Sequence, residues 1–433
     1  MLVTNADLDG QRADIRFSEK ITEIGDLPSV DGEEIYDAQG AKFIPGLHDH
    51  HIHLRAMSAR KHSIDCRGLS EAQLADTIHE HPGEGWLRGF GYHATHDGEL
   101  NRFKLDELCP DRPIRVQHSS GKMWVMNSAA LNELGVTSES HEGVELDGKN
   151  LTGRLFRMDD WLDERLPRQP VDLAPVLNDL LQVGVTSVTD TSFNNNAESE
   201  ATLRSLTLQG QRFAVRVMGD ESLHHGGQLK ILLDEDALPD LDVLATRVES
   251  AHEKNRGVAF HCVSRIELLV AVDVLKRAGL HEDDRIEHGA IVSKDMIEEL
   301  AQLDLPIVTQ PGFLSDRGER FREEIPSDEL EDLYRYKSLL DAGIRVICSS
   351  DAPYGPYDPW RCMEAAARRI NDQGTVMSPQ EQVSAEVALS GYHLADNLRQ
   401  KNQIAVGETA NLVALKDGAV SAVWLGGRSI DLS

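Results

Sequence analysis

No stretch of this sequence approaches the ~18 consecutive apolar residues that a membrane-spanning helix needs, so a helical anchor is not expected. The N-terminal MLVTNADLDGQRADIRF also lacks the basic segment followed by an apolar one that marks an export signal. Cysteine is scarce: Cys66, Cys109, Cys262, Cys348 and Cys362 are odd in number, scattered and never spaced C-x-x-C. That excludes a disulfide framework and points to reduced thiols in a cytoplasmic protein. Basic residues are in the minority, 44 Lys and Arg against 73 Asp and Glu, for a net charge of −29. Such a surface repels phosphate backbones and anionic lipid, which excludes nucleic acid and membrane as partners. Aromatics are few, at 5%, yet 40% of the residues are apolar and 27% charged, the balance of an ordinary globular protein.

What is present has a clear order. The 433 residues leave room for one large α/β barrel, which takes ~200–250 residues, and an accessory domain. Short strands are expected at the start, over Met1–Asn5, Asp14–Phe17, Lys20–Ile24 and Glu34–Asp37, and again at the end, over Ala410–Leu415, Ala422–Leu425 and Arg428–Ile430. These two β regions are expected to pair as one small domain built from residues 1–44 and 405–433. Between about Leu173 and Asp351 strands alternate with helices, the signature of βαβ units. The expected strands are Thr186–Thr191, Phe213–Gly219, Leu229–Asp234, Val258–Val263, Arg285–Ala290, Pro306–Gln310 and Arg345–Asp351, and one running into His51 makes eight. Helices are expected from Leu241 to a stop at Gly257 and over Ile266–Ala278, whereas Asp220–Gln228 is too short for a crossover helix. Residues 54–168 do not fit the repeat and read as an insertion after the first strand. In a barrel such a loop lies on the active-site face.

Chemistry concentrates at the strand ends. In PGLHDHHIHL, Pro45 to Leu54, four histidines and an aspartate fall within six residues. Residues two apart on a strand share a face, so His51 with His53, or His48 with His50, can ligate one cation. In QLKILLDED, Leu229, Ile231 and Leu233 form an apolar face, which turns Lys230 to the other side. A buried ammonium is costly, and either an ion pair with Asp234 or carboxylation to a carbamate would relieve it. VAFHCV and RIEHGA end strands with His261 and His288, one βα unit apart. RVICSSDAP ends the last strand with Asp351, a residue able to ligate a cation and to shuttle a proton.

Taken together, these segments resemble the amidohydrolase superfamily, in particular the family 3 branch that includes N-substituted formamide deformylase-like proteins. PGLHDHHIH is similar to its PG-x-x-D-x-H-x-H motif, which places Asp49 at the motif aspartate and selects His51 and His53. VGVTSVTD (Val183–Asp190), RIEH and SSDAP resemble its second-, sixth- and eighth-strand motifs, and VGETANLVALKDG resembles its returning segment, with Asn411 where Asp is usual. The resemblance implies a metallo-dependent (β/α)8 TIM barrel with a small β-sandwich. It implies one or two divalent ions, Zn2+ foremost, one on His51, His53, Lys230 and Asp351 and the other on Lys230, His261 and His288, with Lys230 carboxylated. It further implies hydrolysis of a non-peptide C–N bond in a small molecule, an amide, N-acyl or formamide-like group. Hydroxide attacks the carbonyl, while Asp351 takes the proton and returns it to the departing nitrogen.

Two alternatives remain at this level. A mononuclear deaminase of the same superfamily typically carries Glu three residues after the strand-five histidine, where this chain has Ser264. A catalytically silent homologue would have lost ligands, and all are present. For the substrate pocket the sequence offers Lys122, in VQHSSGKMWVMNSAAL where relatives commonly have His, together with Gln310, Tyr354, Tyr357 and Trp360. A homodimer is compatible with the class.

Overall fold

The computed structural model describes residues 1–81, 83, 85–93, 99–167 and 171–432. Its central elements are eight strands that are apolar along most of their length: β1 (Leu47–Ile52), β2 (Val185–Asp190), β3 (Ala214–Val217), β4 (Leu229–Leu232), β5 (Val258–Cys262), β6 (Arg285–His288), β7 (Ile307–Thr309) and β8 (Val346–Cys348). All pairings among them are parallel, as strands buried on both faces by crossover helices require. β2 lies between β1 and β3, and β4 to β8 pair in sequential order. Single parallel bridges, Gly219 to Leu229 and Ile52 to Ala352, link the exit of β3 to β4 and β1 to the exit of β8.

Most of the expected strands run past the observed ones by up to three residues, β8 most of all. β6 ends where His288 and Gly289 adopt φ of 68° and 52°, and Asp351, just beyond β8, adopts φ of 54°. A left-handed conformation at a non-glycine residue is costly and concentrates at functional sites.

The helices follow their capping signals. Arg265–Ala278 starts on a Ser264/Glu267 capping box and stops at Gly279, with φ 81°. The helix expected to run to Gly257 instead ends at Glu253, because Asn255 already turns left-handed at φ 54°. Asp220–Gln228 is irregular, as its length demands. It is held by Arg256, whose guanidinium donates to the carbonyls of Gly227 (2.5 Å), Asp220 (2.6 Å), Gln228 (3.0 Å) and Gly219 (3.1 Å).

Both chain ends contribute to one sheet of eight strands, in which Lys42–Pro45 pairs antiparallel with Leu412–Lys416. The β-sandwich implied by the resemblance is here that single sheet. A division at residue 44 would cut the Lys42–Pro45 strand, and residues 1–54 and 173–433 form one compact unit. The second unit is Arg55–Asp172, close to the expected insertion, whose expected end at Arg168 lies outside the described residues. It holds a six-stranded sheet that includes Leu87–Tyr92 and Ile114–His118, and a short helix, Ser128–Glu133, capped by Asn127. All five cysteines are buried and free.

Buried arginines fix the segment after β7. Arg369 donates to the Leu333 and Tyr334 carbonyls at 3.0 and 2.9 Å, and Arg335 pairs with Glu381 at 3.0 Å. Burial alone would raise the Glu381 carboxyl, but Ser338, Arg335 and the Tyr336 amide outweigh it and hold it below the ordinary value. A carboxylate so lowered stabilises the fold above its unfolded pKa and loses that contribution as pH falls through the folded one. Glu381→Gln is therefore expected to cost about 2 kcal/mol at neutral pH, because Arg335 loses its fully buried partner but keeps Asp332. Urea unfolding should show that difference from wild type shrinking below about pH 4.

Candidate metal centre

Strand β1 presents two sets of histidines with different uses. His48 meets Ser187 Oγ at 2.8 Å and Thr189 Oγ1 at 2.9 Å, and His50 Nε2 meets the Gly391 carbonyl at 3.2 Å. Both are spent on structure. His51 and His53 instead approach Asp351, and one ligand atom from each of the three lies within 4.8 Å of the others. Asp351 Oδ1 is 3.1 Å from His53 Nε2 and 3.5 Å from His51 Nε2, and Oδ2 is 3.9 Å from His288 Nδ1. The His288 ring centre is 4.8 Å from that of His51 and 4.4 Å from that of His261. Asp49 ties the two strand ends together, its Oδ1 accepting from the His51 and Ser350 amides, both at 3.2 Å. Burial pushes the Asp49 carboxyl up to about 6.

Lys230 enters the same space from β4. It is 4% exposed, and among the described residues its Nζ has neither a hydrogen-bond partner nor a carboxylate within 4 Å. The ion pair with Asp234 is therefore absent. Burial lowers the ammonium, and its charge in turn acts on His51, His261 and His288.

Second-layer partners fix the ring orientations. His51 Nδ1 bonds Glu287 Oε2, and the other oxygen of Glu287 takes Arg285 Nε. Because Glu287 is fully buried against Arg285, it is ionised: burial opposes this, but Arg285, Lys230 and His288 prevail and lower its carboxyl. The assigned tautomer of His51 thus carries its proton on Nδ1 and points the Nε2 lone pair at Asp351. His288 Nδ1 meets Gln310 Oε1 at 2.7 Å, while Gln310 Nε2 donates to Ser349 Oγ at 3.0 Å and the Val308 carbonyl at 3.2 Å. The amide is consequently oriented, and His288 keeps Nε2 as its lone pair. Burial, reinforced by Lys230, holds His51 and His288 well below the ordinary imidazole value and His261 at about 3. Neutral imidazole lone pairs facing a carboxylate oxygen repel unless a cation lies between them. The donor set of nitrogen and oxygen ligands is one that Zn2+ and similar ions accept.

The remaining sequence candidates separate. Tyr354 stands beside the site, its ring edge-on to His53 at 5.4 Å and about half exposed. Gln310 is fully buried and committed to His288, so it supports a ligand and does not face substrate. Trp360 donates its indole N–H to the Val183 carbonyl at 3.1 Å, at the entry of β2, the end opposite the ligands, which removes it from the pocket. Lys122 is exposed in the second unit. Glu287 was missed although its signal was visible: a carboxylate two residues after Arg285 in a strand that is otherwise buried.

Eight parallel strands with histidines and an aspartate gathered at their C-terminal ends define a metal-dependent hydrolase of the α/β class. The profile of the amidohydrolase family matches residues 34–423, and the chain belongs to that family, whose members hydrolyse carbon–nitrogen bonds. It is 28% identical to N-substituted formamide deformylase of Arthrobacter pascens, over 91% of this chain and 86% of that protein. It is 23% identical to the putative amidohydrolase YtcJ of Bacillus subtilis, over 79% and 76%. Among solved structures, a metal-dependent hydrolase from Pyrococcus furiosus superposes with a TM-score of 0.75 at 21% identity, covering 96% of this chain and 99% of that one.

Proposed function

We propose that this protein hydrolyses a non-peptide C–N bond of a small amide, N-acyl or formamide-like molecule, with His51, His53, Lys230, His261, His288 and Asp351 as ligands of Zn2+. The likeness to a formamide deformylase supports the substrate class. The observation that carries the reading is the His51 Nε2 lone pair set 3.5 Å from a carboxylate oxygen, an arrangement that calls for a cation. When bound, a divalent ion supplies a Lewis acid that lowers the pKa of water and polarises a carbonyl. Asp351 accepts the water's proton at Oδ1 and returns it to the leaving nitrogen. Glu287 and Gln310 hold His51 and His288 in the tautomers that ligation needs. Ser264, the position of the deaminase glutamate, is used as a helix cap and offers no proton-transfer group.

Lys230 completes the proposal. Its buried amine, which has no partner among the described residues, would add to CO2 with release of a proton, and the carbamate so formed would offer oxygen ligands for divalent ions. The two bridges between the parallel sheets support reading all eight strands as one (β/α)8 barrel. Protein purified without chelator is expected to hold two divalent ions per chain by elemental analysis, and Lys230→Ala to hold one fewer. Well under one ion in the wild type would sink the hydrolase reading, whereas unchanged stoichiometry in the variant would remove the bridging role alone.

A further inference from the structure

Above Asp351 sits a cation that the metal chemistry does not use. Arg317 lies in the second turn of the helix Gly312–Glu324, which begins directly after β7. Its Nη2 donates to the Tyr354 carbonyl at 2.8 Å, and its guanidinium carbon lies 4.5 Å from the centre of the Phe313 ring. Tyr354 in turn donates its amide to the Asp351 carbonyl at 2.8 Å, so the guanidinium is anchored to the turn that starts at the ligand. Arg317 is only partly exposed, yet among the described residues it has no carboxylate within 4 Å; the other described arginines around this helix, Arg320, Arg322 and Arg361, each have one. A guanidinium carries five N–H donors, and one is used.

Beside it is Tyr334, packed between Phe313 and Phe321 at 6.2 and 6.1 Å. Its backbone is fixed by Arg369, and φ is 46°. Tyr334 is only 4% exposed, yet among the described residues its hydroxyl has no hydrogen-bond partner. Phe313 thus touches both the Arg317 guanidinium and the Tyr334 ring, while Tyr354 ties Arg317 to Asp351, so the three groups border one another. A half-buried cation and an unpartnered phenol on an apolar wall, next to the carboxylate that serves the reaction, form an incomplete hydrogen-bonding set. A planar monoanion completes it: the guanidinium fork matches a carboxylate, and the phenol supplies another donor. The surplus of 73 acidic over 44 basic residues disfavours polyanions, so the Arg317 guanidinium suits a small, singly charged ligand.

We propose that Arg317 and Tyr334 form a subsite for a carboxylate carried by the substrate, so that the scissile amide belongs to an N-acylated amino acid or a similar amido acid. The inference rests on the hydrolase reading above and deepens it. A matched pair of ligands, N-formylphenylalanine and its primary carboxamide, tests it in both enantiomers on metal-loaded protein. Calorimetry should show the acid binding at least about tenfold tighter than the carboxamide. Arg317→Met should weaken the acid by about tenfold to a hundredfold and leave the carboxamide nearly unchanged, and Tyr334→Phe should do the same to a smaller degree. Arg317→Lys keeps the charge and the bond to Tyr354 and should recover part of the loss, which guards against a variant that merely misfolds. Equal binding of acid and carboxamide, binding of neither, or equal losses in Arg317→Met would overturn the subsite. If neutral amides turn over freely whatever their charge, the hydrolase reading stands and the subsite fails. If the acid binds through Arg317 but no amide is cleaved, the reverse holds.

Discussion

Replacing Asp351 with Asn is expected to lower kcat on a formamide or N-acyl substrate about a thousandfold while leaving the fold intact. Asp351 is the group within reach of both His51 and His53, and its carboxylate is the base that the proposed reaction requires. General acid–base groups of this kind contribute roughly 10²–10⁴ to rate. Asn is the informative substitution because it separates charge from backbone conformation. The residue sits at φ 54°, a region that Asn tolerates better than most side chains, whereas Ala would add strain to the lost chemistry. Its amide still donates to the His51 carbonyl at 2.8 Å, and its own carbonyl still receives the Tyr354 amide. The melting temperature should therefore move little. Asn also keeps one oxygen to face the cation, so partial metal retention alongside lost turnover would point to proton transfer. A variant that keeps more than about a tenth of wild-type kcat would remove Asp351 from the reaction.

Much of this site was legible because ligation restricts residue type and strand geometry restricts spacing. His51 and His53 are two apart on a strand, and Lys230 interrupts an apolar alternation that has no use for a charge on that side. What spacing could not do was choose between His48/His50 and His51/His53. The structure resolves it through partners: hydroxyls of Ser187 and Thr189 absorb one imidazole and a helix carbonyl the other. β1 also slips register against β2, with Asp49 opposite Val188 and Ile52 opposite Asp190, so one extra residue re-aims the chain just before the ligands. A strict period-two reading cannot see such a bulge.

The misplaced residues share a cause. Gln310 and Trp360 stand near strand-end motifs in sequence, and their polar tips suggested substrate contact. Both tips are instead consumed by long-range partners, His288 and the Val183 carbonyl, that no local pattern announces. Arg256 is the same phenomenon in the fold: a residue before β5 satisfies four carbonyls of the link between β3 and β4. Arg317 and Tyr334 carried no sequence signal at all, since an arginine on a helix among many is ordinarily solvated. Only their missing partners distinguish them.

The second large effect is expected at Glu287, a residue that touches no substrate. Its two oxygens divide between Arg285 and His51, and all three side chains are buried. Arg285 also donates to the His50 carbonyl at 2.8 Å, but among the described residues its Nη1 has no partner, so Glu287 supplies the charge that makes burying this guanidinium tolerable. Glu287→Gln keeps the shape and removes the charge. Breaking one side of a buried ion pair costs about 3–5 kcal/mol, because the surviving charge is left uncompensated. The same change weakens the hold on His51 Nδ1, and loss of such a partner costs roughly 10–100-fold in metal affinity. Both consequences should therefore appear together: a fall in urea stability in the metal-free protein, and weaker zinc retention in competition with a chelator. The joint variant Arg285→Met/Glu287→Gln separates them. Removing both charges should restore much of the stability, since an apolar replacement of a buried pair is often neutral. It should leave zinc affinity as weak as in Glu287→Gln, since His51 still lacks its carboxylate. If the double variant recovers metal binding as well, Glu287 acts on the site only through general stability, and its role in orienting His51 would have to be abandoned.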